Sequence, residues 1–366
     1  MKKTKVSIIM PSFNVNKYIE KSIKSVLNQT LKEIEIICVD AGSTDGTLEI
    51  LQHYANEDNR LKIIISEKKS YGHQVNIGIK EAKGKYIGIV ETDDFVDHQM
   101  YEELYNFAEK EDAEVVKTPF IDYVDEDISN ICYFAEELNK KLPEKCFSAC
   151  EHGEILAYHA SVWAGIYKRK YLLNKSIRFV EAPGAGYVDV GFRYDTCTNT
   201  NKIAWLKKPL YYYRVNNNNS STNNFNLDVM IQRWQEIKTK STNIKDIYDN
   251  YYGPYLIFDE YLNTLKYLSS SKVTEKEAYS IYELFAFYKE ETIENSPILP
   301  NYIKKNIKYF IKKPKSYYKI AQVLAVIKVP FVKVANTLFS KGTKIRGIIK
   351  KIIFIPNNKI IKKEKQ

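Results

Sequence analysis

A chain of 366 residues with 44% hydrophobic and 13% aromatic content can bury a core large enough for one sizeable domain and an appendage. Its formal charge of +10 is unevenly spread: residues 301–366 carry 18 Lys/Arg against the single acid Glu364, and the remainder carries 37 basic and 44 acidic residues. A mildly acidic body with a strongly basic tail argues against nucleic-acid binding by the body. The five cysteines, Cys38, Cys132, Cys146, Cys150 and Cys197, form no C-x-x-C pair, which argues against a zinc site and fits reduced thiols in the cytosol. Met1 to Lys5 run straight into a short apolar strand, so no signal peptide is expected, and no stretch reaches the roughly 20 apolar residues of a membrane span.

In chain order, Val6 to Met10 reads as a strand that Pro11 ends, because proline cannot donate to a sheet ladder. Ser12-Phe13-Asn14 follows as a loop, and Tyr18, Ile19, Ile23, Val26 and Leu27 have helical spacing. Ile34 to Val39 is a second strand that delivers the glycine-punctuated loop Asp40 to Thr47 ahead of a helix through Leu48, Ile50, Leu51 and Tyr54. Leu61 to Ile65 is a third strand, Val75 to Ala82 a helix, and Tyr86 to Val90 a buried fourth strand. Four strand–helix alternations predict an α/β fold with a mostly parallel sheet and right-handed crossovers. The site is then expected where the loops after these strands converge.

The fourth strand ends in acid. Glu91, Asp93 and Asp94 arrive within four residues, and such crowding of like charge calls for a cation or hydrogen-bond donors to offset it. A divalent metal carrying phosphate oxygens is the simplest candidate, and hard oxygen ligands suit magnesium or manganese better than zinc. The competing reading is a solvated acidic turn that caps the next helix. Neither G-x-G-x-x-G nor G-x-x-x-x-G-K-[ST] occurs in these loops, so any nucleotide is held by other means.

Ile8 to Asn14 with Tyr18, Val39 to Thr47, Asn76-Ile77-Gly78 with Gly84 to Ile87, and Glu91-Thr92-Asp93-Asp94, in this order and spacing, resemble the family 2 glycosyltransferases. The resemblance spans residues 4 to 225. It implies a GT-A fold, a nucleotide-sugar donor, a divalent cation (Mn2+ or Mg2+) and inversion at the anomeric carbon. It also implies that Pro11 and Phe13 line the base pocket, that Asp40 accepts the imide hydrogen of uracil, and that Asp93 ligates the metal. Glu91 would support the ribose or a metal-bound water, and Asp94 would shape the site. The alternative for Asp40 is a cap on the helix that begins near Thr47. Two positions depart from the family pattern: Ala41 replaces an acid and Val75 an arginine, with His73 and Lys69 as the substitute donors nearby.

Further on, Met100 to Ala108 reads as a helix and Ala113 to Lys117 as a strand, with residues 121 to 150 as an irregular acidic insertion on the acceptor side. The segment Val162 to Arg169 resembles the family's approach to the acceptor site; Trp163 offers a stacking face to a sugar or else belongs to the core. After Ile177 to Glu181, a glycine-rich loop leads to Val188-Asp189 where the family has Glu-Asp. The resemblance makes Asp189 the catalytic base, with Glu181 as reserve base; the alternative for Asp189 is a helix N-cap. Tyr211-Tyr212-Tyr213-Arg214 closes the similarity, with Arg214 touching the diphosphate, pinning the acidic loop or forming a structural salt bridge. Asn216 to Asn219 mark a flexible loop, a candidate lid.

The expected domains are thus a catalytic domain over 1–225, a helical appendage over 226–300, and a basic amphipathic tail over 301–366 suited to an anionic inner-leaflet surface. Gln232-Arg233-Trp234 lacks the Q-x-x-R-W spacing of processive synthases, which points to single additions. Together these features predict transfer from a UDP-sugar to a lipid-linked glycan acceptor by a cytoplasmic, peripheral protein that binds no nucleic acid. The rivals are a non-catalytic sugar-nucleotide or glycan-binding module and a nucleotidyltransferase on a similar fold.

Overall fold

The computed structural model describes residues 3–124, 127–131, 133–215, 217, 232–233, 235–237, 290–296, 299 and 301–313. The chain divides into two compact units, Met1–Ile244 and Lys245–Gln366. The expected helices through Trp234, Tyr255, Leu256, Phe258, Leu262, Leu265 and Ile281 to Phe287, the loop Asn216 to Thr222 apart from Asn217, Cys132, and the tail beyond Lys313 lie outside the described residues.

The first unit opens with β1 (Val6–Ser12), α1 (Asn16–Leu27), β2 (Ile34–Asp40), α2 (Thr47–Glu57), β3 (Leu61–Ile65), α3 (Tyr71–Glu81) and β4 (Tyr86–Ile89). These are the alternations expected from periodicity, with two differences. β1 runs through Pro11 to Ser12, pairing Pro11 with Val39, because β4 reaches only as far as Ile9↔Ile89. With no strand paired to Pro11 on that side, where the Thr92 hydroxyl donates to its carbonyl at 2.9 Å, the missing N–H costs no ladder bond. α3 starts at Tyr71, four residues before the expected start, because Ser70 caps it by accepting the His73 backbone N–H at 3.3 Å.

Beyond β4 come β5 (Phe95–Val96), α4 (Met100–Glu111), β6 (Val115–Lys117), β7 (Phe120–Val124), β8 (Asp127–Ile131), α5 (Tyr133–Lys141), β9 (Gly165–Lys168), α6 (Arg169–Asn174), α7 (Val188–Thr198), β10 (Ile203–Trp205) and β11 (Tyr211–Arg214). Seven strands form one sheet in the order β10-β6-β9-β4-β1-β2-β3, all parallel except β9. Its core is the row of fully buried Val6, Ile8, Ile9, Ile36, Ile87, Ile89, Val115 and Ile166. A second sheet, β5-β11-β7-β8, takes in residues expected to be irregular. That expectation for 121–150 is corrected: β7 pairs in parallel with the distant β11, a partner that local pattern does not reveal.

Strand order places the site. β1, β2 and β3 extend the sheet in one direction, then β4 returns to the other flank of β1. The crevice at the carboxyl ends of β1 and β4 is a topological switch point, the position where open α/β sheets hold ligands.

In the second unit, α8 (Glu290–Asn295) and α9 (Asn301–Lys312) are described. Lys308 reaches Glu290 at 3.5 Å and also pairs with Glu294, and Lys312 reaches Glu290 at 3.4 Å. The first basic helix of the tail thus has acidic partners within the chain. No helix among the described residues is long and apolar enough to cross a membrane.

Candidate active site

The loops after β1 and β2 are laced together. Asn14 accepts the Thr44 N–H at 2.9 Å and donates its own N–H to Ser43 Oγ at 2.9 Å, and Val15 N–H donates to Thr47 Oγ1 at 2.9 Å. Asp40, fully buried at the end of β2, is the hub of this lacing. Its Oδ1 accepts the Gly42 and Ser43 N–H groups at 2.9 and 2.7 Å, and its Oδ2 accepts the Ser12 and Ser43 hydroxyls at 2.8 and 2.7 Å. Four internal donors thus occupy its lone pairs. Asp40 does not cap α2, whose N-cap is Gly46. Pro11 is buried in β1, whereas Phe13 is 39% exposed at the sheet edge with the Lys69 ammonium 4.6 Å from its ring centre.

The acidic turn after β4 has three carboxylates in three different situations. Asp94 is 2% exposed and faces inward, accepting the Tyr211 hydroxyl at 2.8 Å and the Arg214 N–H at 2.7 Å. Burial and then the Asp93 charge hold its carboxyl well above the ordinary range. Glu91 accepts the Tyr71 hydroxyl at 2.5 Å; burial pushes it up to about 8, with Asp93 and Asp189 adding to the rise and the Tyr71 bond opposing it. Asp93 is left half-buried, with Oδ2 accepting the Asn217 side-chain N–H at 2.7 Å. Arg214 pins this turn: its Nε donates to the Asp93 carbonyl at 2.8 Å, and its guanidinium lies 4.7 and 5.0 Å from the Tyr18 and Tyr123 ring centres.

Across the crevice, Asp189 is the second residue of α7, and its Oδ1 accepts the Val190 N–H at 2.9 Å. The N-cap of α7 is Tyr187, held at φ 56° with no side-chain cap, so Asp189 is not the cap. Burial raises the Asp189 carboxyl above its usual value, while Arg193 and Lys117 pull it back. Tyr71 and Glu91 both feel its charge, which brings the two acidic loops to one place.

Three expected site residues sit otherwise. His73 is in the first turn of α3 and its Nδ1 meets Glu181 Oε2 at 2.8 Å, so it is engaged away from the acidic turn. Glu181 is held against α3 by Asn76 at 3.2 Å, His73, and Lys68 at 3.4 Å. The Asn76 bond, with His73 and Lys68 behind it, outweighs slight burial and lowers its carboxyl, so Glu181, expected as reserve base and acceptor contact, is placed as a latch on α3. Trp163, 6% exposed, stacks on Tyr211 and Tyr213 at 4.2 and 5.2 Å and touches Phe120 edge-on, so it is core rather than a sugar platform. Its neighbours come from the second sheet, which periodicity did not reveal.

The latch belongs to a strap over 179–187 that crosses α3. Asn76 exchanges two bonds with the Phe179 backbone, at 2.9 and 3.0 Å, and Gly184 exchanges backbone bonds with Lys69 and Tyr71 at 3.0 and 2.9 Å. Gly72 lets the strap pass: a Cβ there would stand 2.0 Å from the Val180 carbonyl oxygen. No sequence pattern marked Gln74, which donates to the Ser12 and Val39 carbonyls at 2.8 and 2.7 Å at the paired carboxyl ends of β1 and β2. A buried glutamine on a helix carries no pattern that would have marked it.

A divalent cation can be weighed against these donors. Among the described residues no three His, Cys, Asp or Glu side chains are grouped to hold a metal ion. Asp94 is buried against Tyr211 and Arg214, whereas Glu91 and Asp93 are half-buried and accept hydrogen bonds from Tyr71 and Asn217 on one oxygen each. This set does not fit an all-protein cage. It does fit magnesium or manganese, which take one or two carboxylates and complete their shell with phosphate and water.

Comparison with known proteins agrees with this architecture. The description "Glycosyl transferase family 2" matches residues 7–143. The glycosyltransferase GlyG of Streptococcus pneumoniae is 31% identical over 231 residues, covering 61% of this chain and 74% of GlyG. EpsJ of Bacillus subtilis, an uncharacterized glycosyltransferase, is 31% identical over 58% of this chain, which spans 61% of EpsJ. S. aureus TarS 1-349, solved in complex with UDP-GlcNAc, superposes with a TM-score of 0.69 at 19% identity over 87% of this chain and 90% of that one, a likeness of fold. The switch-point crevice, the acidic turn and the match to GlyG agree, and the chain belongs to glycosyl transferase family 2.

Proposed function

We propose that this chain is an inverting, metal-dependent glycosyltransferase that moves one sugar from a nucleotide donor, a UDP-sugar, to a glycan hydroxyl. The observation that carries the reading is the approach of Asp189 on α7 to the acidic turn after β4, where Glu91 feels both Asp93 and Asp189. An inverting displacement needs a base on the acceptor side and an electrophile on the donor side, and the influence of the Asp189 charge on Glu91 and Tyr71 supports giving these tasks to the two loops. Family membership and the UDP-GlcNAc bound by TarS support a UDP-sugar as donor.

Asp189 takes the proton of the attacking hydroxyl; burial raises its proton affinity, which suits a base. Asp93 would hold the divalent cation, which supplies charge stabilisation to the departing diphosphate when bound. Arg214 keeps the turn in place through the Asp93 carbonyl, and Tyr71 orients Glu91. The exposed ring of Phe13, with Lys69 over it, offers a face to the nucleobase. The strap over 179–187 leads directly into α7, on which Asp189 is carried. A lipid-linked acceptor in surface polysaccharide assembly fits a tail with 18 Lys/Arg, through which the protein would dock on the anionic inner leaflet.

A panel of nucleotide sugars, with and without manganese, tests the donor by protection against thermal unfolding; a ligand at a hundred times its Kd stabilises by ~2.7 kcal/mol. Protection by a UDP-sugar that vanishes in Asp93→Ala is expected. Full turnover by Asp189→Asn would remove the base, and full activity in excess chelator would remove the metal.

A further inference from the structure

The loop that leads into β9 lies at the same edge of the sheet as the acidic turn. β9 runs antiparallel, so its first residue, Gly165, pairs with Lys117 at the carboxyl end of β6, and Ile166 pairs with Gly88 near the carboxyl end of β4. Trp163 ties this loop to the turn. Its ring stacks on Tyr211 at 4.2 Å, and the Tyr211 hydroxyl donates to Asp94 Oδ2 at 2.8 Å and accepts the Glu91 N–H at 3.1 Å. Within the loop Tyr158 and Ala160 are 1% and 3% exposed, whereas His159 between them is open to solvent. Its ring meets Phe120 edge-on at 5.5 Å and lies 6.1 and 6.4 Å from the Trp163 and Tyr213 ring centres.

An exposed side chain usually keeps its rotamer freedom, but this one is fixed. Its Nδ1 accepts the Ser161 N–H at 3.1 Å, and the Ser161 hydroxyl donates to the His159 carbonyl at 3.0 Å. Ser161 is itself held at φ 25°, unfavourable for a residue with a side chain, and the buried ammonium of Lys117 donates to its carbonyl. An Nδ1 that accepts a hydrogen bond carries no proton, so the imidazole is neutral and its proton sits on Nε2. Protein packed around the residue, with the Arg193 and Lys117 charges, acts in the same direction and lowers it to about 4. A residue that is open to solvent and yet surrounded by so much protein lines a recess. Its Nε2 has no partner among the described residues. One neutral N–H beside aromatic rings suits a sugar hydroxyl, whereas a phosphate calls for a cation or several donors.

We propose that His159 is a contact for the acceptor sugar: with Nδ1 held by the Ser161 N–H, its Nε2–H donates to a hydroxyl of the incoming glycan beside Phe120, Trp163 and Tyr213. The proposal deepens the glycosyltransferase reading and rests on it. Its test takes the full-length chain with UDP bound and its five histidines labelled at the ring nitrogens, and adds methyl β-D-glucoside, methyl β-D-galactoside or methyl N-acetyl-β-D-glucosaminide. The His159 signals are those lost in His159→Asn. At least one glycoside is expected to shift the Nε2 signal saturably, and inorganic phosphate is not. No shift with any glycoside, or a shift with phosphate alone, overturns the proposal. Kinetics with UDP-GlcNAc as donor give a second reading. His159→Asn can keep the Ser161 bond through its Oδ1 while losing the far edge of the ring, and His159→Gln can return an N–H near the Nε2 position. The glycoside KM should rise about fivefold to tenfold in His159→Asn and stay within about twofold of native in His159→Gln, with UDP release to water unchanged in both. An unchanged KM in His159→Asn, or an equal rise in both variants, overturns the proposal. If a glycoside shifts Nε2 while the native chain releases no UDP from UDP-GlcNAc, the sugar contact stands and transfer from that donor falls.

Discussion

Replacing Glu91 by glutamine keeps the shape of the acidic turn and removes one negative charge from it. The Tyr71 hydroxyl, 2.5 Å from Glu91 Oε1, can donate to an amide oxygen as it does to a carboxylate. Burial, with Asp93 and Asp189 nearby, raises the Glu91 carboxyl from 4.5 to about 8. Between those values the folded protein keeps a proton that the unfolded chain has released. Glu91 therefore favours the folded state most below pH 4.5, and this contribution is lost as pH climbs to about 8. At ~1.4 kcal/mol per pH unit the whole interval amounts to roughly 5 kcal/mol at most. Asp94 and Asp189 act in the same direction, and Lys117 acts oppositely and only above about pH 7; all three remain in both proteins. Urea unfolding of native and Glu91→Gln protein near pH 5 and near pH 8 isolates the Glu91 contribution as a difference of differences. Glu91→Gln is expected to gain several kcal/mol on the native protein over that range. A gap between the two proteins that stays constant with pH would refute the account of this turn as a buried, charge-crowded site.

Three further outcomes follow from named contacts. Gly72→Ala sets a Cβ against the Val180 carbonyl, so the strap must lift; a stability loss of about 1–3 kcal/mol with a disproportionate fall in turnover is expected by thermal melting and UDP release. Asp94→Ala strands the buried Arg214 N–H and frees the turn from β11, which costs roughly 2 kcal/mol and lowers donor protection in thermal shift. Under a thiol reagent, mass spectrometry should find the exposed Cys150 modified in the native protein, whereas buried Cys38 and Cys197, whose thiols burial pushes up, are modified only on unfolding.

Sequence alone determined the first half of the sheet. Val6 to Met10, Ile34 to Val39, Leu61 to Ile65 and Tyr86 to Val90 declared their strands because a buried parallel strand is a short apolar run between turn residues, a signal contained in neighbouring positions. It also put Asp40, Asp93 and Asp189 at the mouths of their elements, since each follows directly from such a run or opens a helix. Tertiary structure decided which of these carboxylates are free. Nothing local told that Ser12 would donate to Asp40, that Tyr211 and Arg214 would turn Asp94 inward, or that Trp163 would lie under Tyr211 and Tyr213. Those partners lie far away in the chain or arise from a second sheet whose strands pair across it. Hydrogen bonding and desolvation depend on such distant neighbours, so the identity of a side chain is written in the sequence while its state of charge and its freedom to meet a ligand are set by the fold.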